Sequence, residues 1–201
     1  MAFMRSFLVT ITLVLSTMVA VAQADWPQLQ GDALRSGNAP AESLPASLGL
    51  VGAIPLSDGI FAAPVVAEGK VYILDGSGVV SAIDAGTLKV LWTFATKGGA
   101  GNCNNVAAPA VIGKYVHVGT TAGYYYVLDR DTGKVVREID CKEPIFSAPA
   151  AGTDRVYFAT LGARVFAVKP DGEPVWNWDF VKEVVKFDGN RWSGEEWTAY
   201  R

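Results

Sequence analysis

The sequence has 201 residues, half of them apolar, with 17 Lys and Arg against 20 Asp and Glu for a formal net charge of −3. That length holds one domain or two. A weakly acidic chain with scattered basic residues offers no stripe to neutralise phosphates, so nucleic acid is not an expected partner. One His and two Cys are too few to assemble a typical zinc site.

Residues 1–24 read as a signal peptide. Arg5 supplies the positive start, and "FLVTITLVLSTMVAVA" is an apolar stretch shorter than a comfortable membrane span. Ala22-Gln23-Ala24 then gives the small-x-small site for cleavage before Asp25. An uncleaved anchor is the alternative. No Cys follows the stretch, which argues against lipoprotein acylation, and no later run is apolar for long enough to span a bilayer. The mature chain is expected to be exported, periplasmic or secreted, with no stable membrane span. Residues 25–60 are read as a leader segment and a first outer strand.

An internal repeat follows. Pro64, Pro109 and Pro149 are each preceded by Ala, at spacings of 45 and 40 residues. Seven residues on come Val71, Val116 and Val156; eight on come Tyr72, His117 and Tyr157. Nineteen on come Ile83, Leu128 and Val168. Gly78 and Gly123 both lie fourteen after their Pro, while Gly162 stands one place early in the third copy. Such a period, with several short strands per unit, is the signature of a propeller blade.

In the first copy, strands are predicted near Ala62–Ala67, Lys70–Asp75, Val79–Asp84 and Lys89–Phe94, joined by short Gly-containing links suited to hairpins. The fold class is therefore all-β: three four-stranded antiparallel blades over residues 61–104, 105–145 and 146–180. Runs such as "VYIL" alternate poorly, as expected for sheets covered on both faces. Trp92 and Trp176 close the first and third copies and are expected to be buried beside their outer strands, with Arg137 at that place in the second. Propellers have four to eight blades, so the three copies are expected to belong to a larger, seven- to eight-bladed ring. Residues 181–201 then read as an insertion or as the start of a further blade. Val181, Val184 and Val185 have helix-compatible spacing.

The phrase "[AS]-A-P-x-x-x-x-x-x-V-Y", then "G-x-x-x-A-[IV]-D" and an outer-strand Trp, resembles the pyrroloquinoline-quinone (PQQ)-like propeller repeat. The leader "DWPQLQGDALRSGNAP" is similar to the segment that often precedes such propellers in exported bacterial proteins. The resemblance implies the fold. It leaves activity open, because that superfamily holds both quinoprotein dehydrogenases and non-catalytic scaffolds such as the outer-membrane assembly factor BamB.

Several stretches look chemical and have plainer readings. "DRDTGKVVREID", Asp129–Asp140, begins like a calcium loop, but its sixth position is Lys134 and its twelfth is Asp140, where an EF-hand wants Gly and Glu. A hairpin turn fits better. "KGGAGNCNN", Lys97–Asn105, is Gly-rich, but a strand follows it where a phosphate cradle needs a helix N-terminus. His117 takes the Tyr place of a strand and reads as a core or inter-blade hydrogen-bonding residue. Cys103 and Cys141 sit ahead of consecutive A-P pairs on one propeller face, which permits a disulfide only if their Cα atoms lie within about 7 Å. Trp176, Trp178, Trp192, Trp197 and Tyr124–Tyr126 are surplus aromatics that default to blade packing.

No catalytic residue or metal ligand is named by these motifs, and no cofactor-binding position carries over from the resemblance. The expected role is an exported, non-catalytic scaffold holding a protein or small ligand at a propeller face. The alternative is an N-terminal part of a PQQ-dependent dehydrogenase, with PQQ and calcium as cofactors.

Overall fold

The computed structural model describes residues 25–40, 43, 46–98 and 101–200. The signal-peptide reading of residues 1–24 falls outside them.

Twelve strands form three separate four-stranded antiparallel sheets in chain order. Blade 1 holds β1 (Val65–Ala67), β2 (Lys70–Leu74), β3 (Val79–Asp84) and β4 (Val90–Ala95). Blade 2 holds β5 (Ala110–Ile112), β6 (Tyr115–Gly119), β7 (Tyr124–Asp129) and β8 (Val135–Asp140). Blade 3 holds β9 (Ala150–Ala151), β10 (Val156–Ala159), β11 (Arg164–Val168) and β12 (Pro174–Asp179). A single π-helical turn, Val181–Val185, and a short helix α1, Gly194–Tyr200, follow. The valine spacing therefore becomes one wide turn. It closes where Lys186, in the left-handed region at φ 61°, donates its N–H to the Val181 carbonyl.

The register repeats from blade to blade. Ala82 faces Trp92, Val127 faces Arg137 and Ala167 faces Trp176, each pair beside an irregularity of the outer strand. The blades converge on their first strands, where β1 meets β5 and β5 meets β9. Because side chains alternate across a strand, each sheet has one face toward the preceding blade and one toward the next. Tyr72, Leu74, Val80 and Ala82 of blade 1 pack on Val116, Val118, Tyr126 and Leu128 of blade 2. Tyr125 and Val127 pack on Val156, Phe158 and Val168 of blade 3. Both faces of the middle sheet are covered, which explains its lack of alternation.

The leader ties the converging edges together. Trp26 exchanges backbone hydrogen bonds with Val66 of blade 1 at 2.7 and 2.9 Å, and the Pro27 carbonyl accepts from Val111 of blade 2 at 2.7 Å. Gln28 Oε1 accepts the Ala151 N–H of blade 3 at 3.2 Å, and Arg35 Nη2 donates to the Ala148 carbonyl at 3.0 Å. One extended segment thus crosses the inner edge of all three sheets and satisfies backbone groups that those edges leave free.

Trp92, expected to be buried, is half-buried beside its outer strand, its indole N–H donating to the Arg130 carbonyl of the next blade at 2.9 Å. Trp176 is not buried: it is 41% exposed on the uncovered side of blade 3. The physical reason is that no described residue packs over that face, whereas blade 2 covers the equivalent face of blade 1.

Candidate functional site

The strand-linking turns divide between two ends of the blades. At one end lie the β2–β3, β6–β7 and β10–β11 turns with the longer inter-blade loops. This loop face gathers buried polar side chains, among them Asp75, Asn102, Asn105, Thr120, Glu143 and Thr160.

Its turns share one device. Asp75, Thr120 and Thr160 each stand eleven residues after their Pro, and each accepts the backbone N–H four residues on. The distances are 2.9 Å from Val79, 3.1 Å from Tyr124 and 3.3 Å from Arg164. Asp75 also accepts from the Ser77 N–H and hydroxyl, and from the Ser57 hydroxyl. Burial pushes the Asp75 carboxyl up, but its bonds to Ser57, Val79 and Ser77 together hold it below the usual carboxylate range. Position fourteen needs the left-handed region: Gly78 and Gly123 take φ 87° and 88°, and Ala163 takes 63°.

The early glycine of the third copy has its own cause. A Cβ on Gly162 would lie 2.4 Å from the Glu143 carboxyl carbon. Glu143, 5% exposed, is clamped by Arg164: Nε donates to Oε2 at 3.0 Å and Nη2 to Oε1 at 2.9 Å. The Thr160 hydroxyl donates to Oε2 at 2.5 Å, and Arg191 Nη1 lies 3.6 Å from Oε1. Burial raises the Glu143 carboxyl, and the hydrogen bonds and charge of Arg164, with Thr160 and Arg191, outweigh it and keep the carboxylate ionised. Arg191 also pairs with Asp179 and donates to the Gly162 carbonyl, which fastens residues 181–200 to this face. Sequence reasoning passed over this network. The signal was Arg164, a charged residue opening an apolar strand and so needing a partner.

The Lys97–Asn105 stretch is a connecting loop in its described residues. Asn105, fully buried, donates from Nδ2 to the Gly76 carbonyl at 3.2 Å and accepts the Thr121 N–H at 2.9 Å. Asn102 Nδ2 donates to Thr96 Oγ1 at 2.6 Å. The Asp129 stretch lies at the opposite end and is a turn: Asp129 Oδ1 accepts from the Thr132 N–H at 2.9 Å and hydroxyl at 2.7 Å, with Gly133 at φ 69°.

Cys103 is exposed and Cys141 buried, and both are free thiols, so the permitted disulfide does not form here. Burial pushes the Cys141 thiol up to about 12, which leaves it unreactive at neutral pH. His117 is buried between blades 2 and 3. Its Nδ1 lies 3.0 Å from the Tyr125 hydroxyl, and its Nε2 approaches the Pro170 carbonyl without good hydrogen-bond geometry. Burial lowers its pKa to about 4, so the ring is neutral at pH 7.

The surplus aromatics separate into three groups. Tyr125 and Tyr126 are buried between blades, Tyr125 stacked on Phe158 at 3.6 Å. Trp176 and Trp178 lie on the outer face of blade 3. Trp197 stacks on Phe187 at 4.1 Å beside Tyr200, while Trp192 is 56% exposed. Leu161, Arg191, Trp192 and Trp197 line a shallow cleft of about 170 Å³.

Residues 53–148 match the family model described as outer membrane protein assembly factor BamB. The chain is 28% identical to the quinohemoprotein alcohol dehydrogenase of Comamonas testosteroni over 216 residues, 90% of this chain and 30% of that protein. The crystal structure of that enzyme superposes with a TM-score of 0.61 at 23% identity, over 78% of this chain and 27% of that one. A europium-containing methanol dehydrogenase superposes with a TM-score of 0.66 at 18% identity, over 78% and 32%. This chain thus spans less than a third of the length of the dehydrogenases it resembles. Three sheets in one register, the repeat phrase and these likenesses agree: the chain carries PQQ-like propeller repeats, and its blades have the fold of that family.

Proposed function

We propose that this chain is part of an exported, non-catalytic binding scaffold that offers the loop face of a PQQ-like propeller to a protein or small ligand. One observation carries the reading. Most buried polar side chains of that face are committed to holding it: Asp75, Thr120 and Thr160 close the turns, Asn105 ties the first inter-blade loop, and Glu143 is clamped by Arg164, while Asn102 Oδ1 has no partner. A rigid frame with exposed loop residues suits recognition. Export rests on the residue 1–24 pattern, with processing after Ala24. No helix among the described residues is long and apolar enough to cross a membrane.

PQQ and calcium are the groups the fold family implies, and the buried carboxylates of the described loop face do not fit calcium. Calcium takes six to eight oxygens, and the two buried carboxylates of the loop face already have their oxygens bonded to Ser57, Ser77 and Val79, or to Arg164 and Thr160. No group of three or more His, Cys, Asp or Glu side chains that could hold a metal ion occurs among the described residues. No reaction step through the quinone is therefore derived from these residues.

The second reading, an N-terminal part of a PQQ-dependent dehydrogenase, is favoured by the 28% identity across 90% of the chain. One experiment separates the two. The purified chain, and separately the full-length product of its gene, are reconstituted with PQQ and calcium, and dye reduction is followed with alcohols and sugars as substrates. The scaffold reading expects no turnover and no saturable quinone binding by fluorescence. Turnover or stoichiometric binding would move the dehydrogenase reading ahead.

A further inference from the structure

The rim between blades 1 and 2 is filled by two rings. Trp92 on β4 lies over the β7–β8 turn, where a Cβ on Gly133 would come within 2.6 Å of its indole. Two places along the same strand, Phe94 meets Tyr126 edge-on at 5.2 Å. Lys97 then closes the rim by pairing with Glu138 at 2.7 Å.

The rim between blades 2 and 3 has the same register and less to fill it. Arg137 faces Val127 as Trp92 faces Ala82, and Ile139 faces Tyr125 as Phe94 faces Val80. Arg137 lies over the β11–β12 turn, its Cβ 2.8 Å from where a Cβ on Gly172 would stand. With an exposed cation and one isoleucine in place of two rings, a crevice of about 270 Å³ opens between the outer strands. Ile139, Phe166, Val168, Pro174, Val175 and Asn177 line it.

That crevice is apolar within and positive at one end. Arg137 stands two residues from Ile139 on the same face of β8, above the turn that leads into Pro174. Among the described residues its guanidinium forms no ion pair, and the turn's own cation, Lys169, is held by Glu173 at 2.7 Å. Asn177, exposed on the opposite wall, adds an amide.

We propose that this crevice binds a small amphipathic monocarboxylate, with its ring or branched chain inside and its carboxylate on Arg137. Size sets the first part. A volume of about 270 Å³ falls just under the roughly 300 Å³ at which ordinary ligand pockets begin, which admits one ring with a short chain. Charge sets the second. A guanidinium takes a carboxylate through two parallel N–H bonds, and one unpaired cation matches one negative charge where a phosphate calls for more. The crevice lies toward the end of the blades opposite the loop face, so the site stands apart from whatever that face recognises.

The probe is phenylacetate, one ring and one carboxylate. Backbone amide shifts of the nitrogen-15-labelled chain are followed by NMR during titration at pH 7. Saturable shifts are expected at Ile139, Phe166, Val168 and Val175, with a dissociation constant of about 1 mM or tighter for a ligand of this size. Phenylacetamide keeps the shape without the charge and should bind about fivefold more weakly. Acetate, without the ring, should not saturate. Arg137→Gln should weaken the acid about fivefold and leave the amide unchanged, so that the two bind alike. A change that merely loosened the rim would weaken both. Ile139→Phe restores the ring that Phe94 supplies at the first rim and should abolish binding of both. Equal affinity of acid and amide for the unaltered chain, or equal weakening of both by Arg137→Gln, would overturn the role of Arg137. Shifts confined to other residues, or undiminished binding by Ile139→Phe, would overturn the placement in the crevice. No saturable shift up to about 10 mM phenylacetate would overturn the site itself.

Discussion

The first and second blade junctions share a backbone register and differ in what fills it. At the first, Trp92 spans to blade 2 and its indole N–H reaches the Arg130 carbonyl. At the second, Arg137 replaces the tryptophan and stays exposed, and the equivalent carbonyl, Pro170, is approached by His117, which stands where the first junction has Tyr72. The first junction donates to its turn carbonyl from the outer strand, whereas at the second the Pro170 carbonyl is only approached, from an inner strand, by a His117 Nε2 that makes no hydrogen bond. The second junction thereby gains a titratable group in its core, and the first has none that changes charge between pH 4 and 7. Equal folds need not respond equally to acid.

The glycine under each large residue is the most sensitive point of this comparison. Gly133→Val forces a Cβ into the Trp92 ring and puts a branched residue in the left-handed region. Overpacking and backbone strain together are expected to cost about 4 kcal/mol. Gly113, at φ 57° with open space around it, isolates the backbone share: Gly113→Val should cost about 1–2 kcal/mol. Urea melts of both variants check the difference.

Acid should separate the junctions next. His117 has its folded pKa depressed to about 4 from an ordinary 6.5. Between those values the unfolded chain binds the extra proton. Its contribution is therefore complete above about pH 6.5, falls as the pH drops, and is lost by about pH 4, some 3 kcal/mol in all. Glu143, held below its ordinary value, adds its own loss only below about pH 4.5, so the two windows are distinct. Hydrogen exchange at pH 5 should show β10 and β11 opening before β2 and β3. A uniform loss of protection across all three blades would contradict the assignment to the second junction.

The tryptophans give a third contrast. Trp92→Ala removes a half-buried ring and its hydrogen bond and should cost about 2–3 kcal/mol, while Trp176→Ala, with no blade over it, should cost under about 1 kcal/mol. Thermal melts of the two variants, normalised to the same reference, measure the ratio. Equal losses would mean that Trp176 is covered in solution.

The blades were legible because the repeat is written at positions that sheets and turns constrain. The A-P pair opens each inner strand, Val71, Val116 and Val156 lie in each second strand, and Gly78 and Gly123 carry the required positive φ. The exposure of Trp176 was not legible, because burial depends on which blade follows and its own position carries no sign of that. Whether Cys103 and Cys141 pair was left open by the sequence, because it turns on placement: Cys141 is packed among Tyr125, Ile145 and Val156, while Cys103 faces solvent. The Glu143–Arg164 clamp joins residues 21 positions apart across a loop. Hydrophobic period says nothing about such polar pairings. The helix at Gly194–Tyr200 was missed because it is short, with no buried residue to impose a period.

The smallest expected effect is also the most specific, since it asks whether the two junctions are alternative solutions to one problem. Arg137→Trp alone places an indole N–H near the Pro170 carbonyl that His117 already faces, so donor and ring compete. His117→Tyr alone removes the partner of the Tyr125 hydroxyl and leaves Arg137 unable to serve the carbonyl, since its side chain turns to solvent. Each single change should therefore destabilise. Together they rebuild the arrangement of Tyr72, Trp92 and Arg130 over Gly172. The double variant should be more stable than the sum of the single effects by about 1 kcal/mol, a coupling typical of residues sharing a contact. It should also lose the stability change between pH 6.5 and 4, because its titrating group is gone. A double-mutant cycle from urea melts at pH 7 gives the coupling, and the same cycle at pH 5 gives the proton dependence. Additive effects at both pH values would mean that the two positions act independently, and that Arg137 and His117 accompany each other without physical cause.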